Sequence, residues 1–290
     1  MMTKKLLVTG ANGQLGREIS NMYDAMDGIE VVRTDVGELD ITDVDATVKM
    51  VKEVNPYAII NCAAYTAVDK CETEVELAYK INAIGPRNLS IAATEAGTKL
   101  VHVSTDYVFP GDGTRPYTEF DATSPNSMYG TTKLAGENFV KEFSDKHFII
   151  RTAWLYGDGK NFVKTMLNLA KNHAEVNVVG DQIGSPTSTK VLADIIETLL
   201  WTDNYGLFHG TCEGICSWAD FTDEIFRLTN TETKVNHITT EDYQKMFPAS
   251  AKRPAYSVLE NYMLKLTTNH VAAEWHDAIA QYIKEGWHLK

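Results

Sequence analysis

Leu6-Leu7-Val8-Thr9-Gly10-Ala11-Asn12-Gly13-Gln14-Leu15-Gly16 decides the fold. A continuous apolar run passes directly into three glycines spaced G-x-x-G-x-x-G, and a helix-length segment over residues 13–25 begins within them. An unbroken apolar run suits a strand buried on both faces, as in a parallel sheet. The glycines permit a tight turn and let backbone approach a pyrophosphate, whose charge the positive end of the following helix meets. The spacing is not the commoner G-x-G-x-x-G, but the physics is the same, and the placement between strand and helix favours dinucleotide binding over a merely tight turn. Further strand-like runs fall at residues 31–35, 57–61, 100–104 and 147–153. Helix-length segments lie between them, at 44–54 and at 78–96, the latter with Ala78, Ile81, Gly85, Leu89, Ala92 and Ala96 on one face. Pro86 inside that segment costs a backbone hydrogen bond and predicts a local kink. Strands and helices in this alternation predict an α/β fold, a doubly wound parallel sheet with right-handed crossovers.

Beyond residue 153 the alternation weakens. Helices are expected over 161–173, 191–201 and 217–228, strands over 176–179 and 206–209, and helix in part of 262–287. No Gly-, Ser- or Pro-rich linker divides the chain. The expected organisation is a dinucleotide-binding domain of residues 1–152 with a returning segment at 181–210. A smaller, interleaved α/β C-terminal lobe of residues 153–180 and 211–290 takes the substrate.

The chain has 290 residues, with 27 Lys and Arg against 39 Asp and Glu, a formal charge of −12. That balance opposes binding to nucleic acid or to anionic membranes. No apolar run approaches the ~18–20 residues that span a bilayer. The basic-then-apolar N-terminus is too short for a signal-peptide core and reads as a strand. Four cysteines, Cys62, Cys71, Cys212 and Cys216, give no disulfide framework, so a cytoplasmic setting is expected. Cys212-x3-Cys216 with His209 upstream lacks a second ligand pair at finger-like spacing and reads as two buried thiols, with no metal site.

Asp35 ends the second strand about 20 residues beyond the glycines, where an acidic residue meets the adenine ribose. A carboxylate there repels a 2′-phosphate and favours NADH, whereas Arg33 opposes that preference; a solvated strand-end aspartate is the equal alternative. Both NADH and NADPH therefore stand as cofactors. Tyr129-Gly130-Thr131-Thr132-Lys133 places Tyr129 and Lys133 on one helical face. An ammonium one turn away lowers the phenol's pKa and can hold the nicotinamide ribose, making Tyr129 a general acid. Ser104-Thr105-Asp106 at the end of a predicted strand brings a hydroxyl to the same region.

With these motifs the chain resembles the extended short-chain dehydrogenase/reductase family. Five further blocks narrow the likeness to its dTDP-4-dehydrorhamnose reductase branch: Asn61 to Lys70, Ser104 to Gly111, Tyr129 to Glu137, Arg151 to Tyr156, and Asp181 to Thr187. Lys252-Arg253-Pro254 carries it into the C-terminal lobe. The resemblance implies a Rossmann sheet and NADPH- or NADH-dependent reduction of the C4 keto group of dTDP-4-dehydro-L-rhamnose to dTDP-L-rhamnose. It assigns Tyr129 as proton donor, Thr105 as hydrogen-bond partner of the same oxygen, and Lys133 as the group tuning the phenol. Cofactor-lining positions fall on Gly10, Gly13, Gln14, Leu15, Gly16, Asp35, Asp40, Ile41, Ala63, Ala64 and Tyr65, with Tyr129 and Lys133. Sugar-contacting positions fall on Thr105, Asp106 and Trp154, and Arg253 is the partner implied for the diphosphate.

Two departures are informative. Related 4,6-dehydratases carry Thr-Asp-Glu after the fourth strand; here the run is Thr105-Asp106-Tyr107, so the second carboxylate is absent and a simple reductase fits better. Some reductases of this type dimerise through a metal bridging acidic side chains. Glu18 matches one such position, but the other is Lys190, a cation that repels Mg²⁺. A monomer or a homodimer is expected, with a nucleotide sugar as the small-molecule partner. The competing readings are a non-catalytic dinucleotide-binding regulatory subunit of the methionine adenosyltransferase type and a reductase of another deoxysugar nucleotide. Retention of Thr105, Tyr129 and Lys133 together argues against the regulatory reading.

Overall fold

The structure, a computed structural model, describes residues 3–248 and 250–289. Strands of four or more residues are β1 Lys4–Thr9, β2 Ile29–Thr34, β3 Ala58–Asn61, β4 Lys99–Thr105, β5 His147–Thr152, β6 Glu175–Val179, β7 Gly206–His209 and β8 Lys234–Ile238. Six of them form one sheet in the order β7-β5-β4-β3-β1-β2, every neighbouring pair parallel. The strand order reverses between β1 and β3, the doubly wound pattern that the alternation predicts.

Helices of seven or more residues are α1 Gln14–Asp24, α2 Val44–Val54, α3 Gly85–Ala96, α4 Met128–Phe143, α5 Phe162–Ala170, α6 Thr189–Leu200, α7 Trp218–Thr229, α8 Thr240–Met246, α9 Tyr262–Thr268 and α10 Trp275–Lys284. Successive strand residues face opposite sides of the sheet. Leu6, Val8, Ala58 and Ile60 therefore join Ile19 and Tyr23 of α1 and Leu192 and Ile196 of α6 in one core. Leu7 and Ile59 join Val51 of α2, Leu89 of α3 and Val140 of α4 in the other. Covering both faces is what lets these strands be apolar throughout.

The segment expected as a kinked helix over 78–96 is helical from Val75, with a π turn at Lys80–Ile84 leading into α3. Pro86 sits in the first turn of α3, where its missing N–H is tolerated and the π turn absorbs the register change. That turn aims Asn82 inward. Its Oδ1 accepts from Tyr65 N at 2.8 Å, and its Nδ2 donates to Tyr65 O at 3.1 Å and Thr132 Oγ1 at 3.2 Å.

Other boundaries move for local reasons. β2 ends at Thr34, so Asp35 heads the following loop. Ser188 accepts from Val191 N and starts α6 earlier than the apolar pattern implies. The helix expected over 161–173 stops at Ala170. Sequence reading missed β8, which pairs in parallel with β6 apart from the main sheet, and α8 after it. Lys234-Val235-Asn236-His237-Ile238 is too polar to signal a buried strand. Among the described residues no helix is long and apolar enough to cross a membrane.

Candidate active site

The C-terminal ends of β1, β3, β4 and β5 open into one cleft of about 760 Å³, the place where open parallel sheets take ligands. At one end Gly13, Gln14, Leu15 and Gly16 line it. Gly13 caps α1 without any side-chain hydrogen bond, and the first turn of α1 holds no acidic residue. Gly10 takes φ +63°, and a Cβ on Gly16 would lie 2.2 Å from Gly10 O, so this backbone crossing requires glycine. An uncapped helix start bordering a cleft fits the pyrophosphate of a dinucleotide.

The opposite wall is built on α4. Ser127 caps it by accepting from Gly130 N at 3.2 Å. A Cβ on Gly130 would sit 2.1 Å from Tyr107 O, so glycine lets α4 lie against the loop after β4. Tyr129 thereby meets Tyr107 edge-on, ring centroids 5.3 Å apart, beside the Thr105 hydroxyl. One turn on, the buried Lys133 donates from Nζ to Val103 O at 2.7 Å. A further turn on, Glu137 accepts from Ser104 Oγ at 2.7 Å and pairs with Arg151. Tyr129, Lys133 and Thr105 line the same cleft.

The electrostatics correct one expectation. The spacing predicts a phenol acidified by Lys133. Burial instead raises the Tyr129 pKa, with the Thr105 hydroxyl opposing and the charge of Asp106 adding to the rise. The Lys133 ammonium is engaged with the Val103 carbonyl. Burial pushes Lys133 down to about 8, while the Glu137 carboxylate works the other way. Asp106, also buried, is pushed up to about 6 by burial, and the Thr105 hydroxyl donates to its Oδ1 at 2.9 Å. Asp106 Oδ2 makes no hydrogen bond.

Asp106, Trp154 and Arg253 also border the cleft. Trp154 stacks on Trp218, ring centroids 3.5 Å apart and planes at 8°. Arg253 Nη2 lies 3.3 and 3.4 Å from the two oxygens of Asp69. Burial pushes Tyr107 up to about 12, and Arg253 pulls against that rise.

Of the remaining cofactor positions, Ala64 lines the cleft, whereas Gly10, Asp35, Asp40, Ile41, Ala63 and Tyr65 do not. Asp35 accepts from Asn12 N at 3.0 Å and Val36 N at 2.8 Å, tying the end of β2 to the glycine turn. Arg33 pairs with Asp24. Asp40 is exposed and accepts from Thr42 N at 2.9 Å. Ile41 packs into the α2–α3 core, where a Cβ on Gly85 would meet its Cδ1. Ala63 backbone underlies Gly10, and the Tyr65 phenol donates to Glu74.

Lys190 Nζ lies 2.9 Å from Glu285 Oε1, and its charge also pulls down the pKa of Glu18, which burial raises. A cation thus stands between these two carboxylates. His209 Nδ1 bonds Glu260 O at 3.0 Å, and Cys212 and Cys216 are buried free thiols. Among the described residues, the one cluster with metal-ligand spacing is the exposed Asp220, Asp223 and His237. Asp220 there closes the capping box of α7, and His237 Nε2 lies 2.7 Å from Asp223.

Sequence reasoning did not single out Trp218, Tyr107 or Gln182, all of which line the cleft. Trp218 follows Ser217 at the start of an amphipathic helix, a capped position that could have marked it. Tyr107 lies two residues past Thr105 in a short 3₁₀ turn. Gln182 lies within the block Asp181 to Thr187 that carries the resemblance, but no role was assigned to it there.

The profile of the RmlD substrate binding domain family matches residues 4–287. The chain is 41% identical to a dTDP-4-dehydrorhamnose reductase of Aggregatibacter actinomycetemcomitans, over 95% of this chain and 97% of that one. A solved dTDP-4-dehydrorhamnose reductase from Clostridium acetobutylicum superposes with a TM-score of 0.94 at 56% identity, covering 97% and 99% of the two chains. One from Bacillus anthracis, in complex with NADP, superposes with a TM-score of 0.92 at 42% identity, covering 98% and 99%.

Proposed function

The chain belongs to the dTDP-4-dehydrorhamnose reductase family of NAD(P)H-dependent sugar-nucleotide reductases, and on that footing we propose that it converts dTDP-4-dehydro-L-rhamnose to dTDP-L-rhamnose, with Tyr129 as proton donor. The observation that carries this reading is that Tyr129 and Thr105 meet in a cleft whose other end is the uncapped start of α1.

When bound, the reduced nicotinamide supplies a hydride to C4 of the sugar. The C4–O double bond opens, and the Tyr129 phenol gives its proton to the oxygen as negative charge develops there. Tyr129 is in its protonated form at neutral pH, as a donor must be, and burial acts in the same direction. The Thr105 hydroxyl, which donates to Asp106 Oδ1 in the free protein, turns its proton to the same oxygen and orients it. Lys133, fixed on Val103 O, offers its ammonium to the nicotinamide ribose. Gly13 to Gly16 receive the pyrophosphate, and Asp35, outside the cleft lining but tied to the glycine turn through Asn12 N, is the residue for the adenosine ribose.

The sugar lies against Asp106 and Trp154, and Arg253 takes the diphosphate through its planar fork. In this division residues 1–152 and 181–210 hold the dinucleotide, and residues 153–180 and 211–290 hold the sugar nucleotide. A cytoplasmic setting accords with the four free cysteines.

The test is direct. The protein is mixed with dTDP-4-dehydro-L-rhamnose and either NADPH or NADH, and loss of the nicotinamide absorbance is followed, with the product identified by NMR. Stoichiometric oxidation yielding dTDP-L-rhamnose is expected. Turnover only with a uridine or guanosine sugar would overturn the substrate assignment.

A further inference from the structure

We propose that Trp218 is a positioning residue whose indole holds Trp154 in place as the sugar-facing wall of the cleft; this rests on the reading of Trp154 as a sugar contact. Trp154 has φ +51°, a left-handed backbone that bulky side chains avoid. Such a conformation persists only where the surroundings over-determine it. Two neighbours do so here.

The first is Gly184, where an added Cβ would lie 2.4 Å from Trp154 Cε2, so the indole lies directly on backbone. The second is Trp218, stacked at 3.5 Å with its plane nearly parallel. Trp218 is itself well anchored. It opens α7 behind the reciprocal Ser217–Asp220 cap, and Phe162 packs against it at 4.4 Å. Trp154 follows β5 of the main sheet, whereas Trp218 belongs to the C-terminal part of the chain. The stack therefore joins two segments of the sugar-binding part that lie far apart in the chain.

Both rings are half-buried and line the cleft, unlike core aromatics such as Phe148 and Phe221, which are fully buried. Removing the Trp218 ring leaves Trp154 with a strained backbone and one partner fewer. The indole then relaxes toward an ordinary backbone conformation, and the flat wall is lost. The dinucleotide end of the cleft, at Gly13 to Gly16, is untouched by this change.

The test compares Trp218→Leu, Trp218→Phe and Trp154→Leu with the unmodified protein by steady-state kinetics, NADPH binding and circular dichroism. Two stacked indoles couple their transitions, so the unmodified protein is expected to show a split band that both leucine variants lose. Trp218→Leu is expected to raise the KM for the nucleotide sugar about tenfold, with kcat and NADPH affinity within about twofold, the mark of lost ground-state positioning. Trp218→Phe, which keeps a flat ring, restores most of the loss. An unchanged KM in Trp218→Leu, or an NADPH affinity that falls in parallel, overturns the proposal. If Trp154→Leu raises KM and Trp218→Leu does not, only the positioning role fails. If Trp154→Leu leaves KM unchanged, the sugar-contact reading fails with it.

Discussion

Arg151 grips Glu137 with two hydrogen bonds, Nε at 2.8 Å and Nη2 at 2.7 Å, one turn beyond Lys133 on the helix that carries Tyr129. Both side chains are out of solvent, at 2% and 0% exposure. Ser104 Oγ adds a third bond to Glu137 at 2.7 Å. The helix bearing the proposed proton donor is thus fastened to β4 and β5 through a buried ion pair, and Lys133 gains a carboxylate that favours its charged form.

Glu137→Ala should therefore destabilise the fold strongly, because Arg151 is left buried without its counter-charge. The expected loss is about 3–5 kcal/mol by urea unfolding. A loss below about 1 kcal/mol, the range of an exposed pair, would show that the pair does not act as a buried one.

Asp106 gives a prediction with a pH signature. Its folded-state pKa of about 6 stands above the ordinary 3.8, so the folded protein binds the proton more tightly than the unfolded chain does. Stability then falls as pH rises from 3.8 through about 6, and the cost of the ionised group is fully present above that. Asp106→Asn should raise stability at pH 7.5, on the order of 2–3 kcal/mol, and leave it unchanged near pH 3.5, while weakening nucleotide-sugar binding. Thermal melts at the two pH values decide it; equal effects at both would contradict the account.

How much of this was legible in the sequence depends on how local each signal is. β1, β3, β4 and β5 were readable because burial on both faces leaves continuous apolar runs, and the glycine turn because its demand on the backbone is local. Tyr129 and Lys133 were readable as one helical face. What the Lys133 ammonium touches was not, because Val103 comes from a strand far back in the chain. The sign of the Tyr129 shift was missed for the same reason: burial is a tertiary property and outweighs the influence expected one turn away. The Trp154–Trp218 stack joins residues from distant parts of the chain, and the polar strand β8 gave no apolar pattern to follow.

Lys133 should set an alkaline limb. With a pKa held down to about 8 by burial, its ammonium is lost as pH rises through that value. The affinity of the free protein for NADPH, measured by fluorescence titration, should weaken above pH 8. In Lys133→Met it should be weak and flat across the same range. An affinity constant up to pH 9.5 in the unmodified protein would remove Lys133 from cofactor binding.

Arg253 separates the two ligands. Arg253→Gln removes the charge from the cleft rim while leaving Gly13 to Gly16 unchanged, so NADPH affinity should hold. The KM for the nucleotide sugar should rise about 10- to 100-fold, the scale of a lost charge-assisted contact. Equal weakening of both ligands in titration calorimetry would place Arg253 outside the diphosphate site.

The proton donor is tested by Tyr129→Phe, which keeps the ring against Tyr107 and deletes only the hydroxyl. Single-turnover oxidation of bound NADPH by dTDP-4-dehydro-L-rhamnose is the measurement, with NADPH affinity and thermal stability checked alongside. The rate should fall by about 100- to 10,000-fold, the usual contribution of a positioned general acid, with cofactor binding retained. A Tyr129→Phe protein that oxidises NADPH at the unmodified rate would assign the proton to another group.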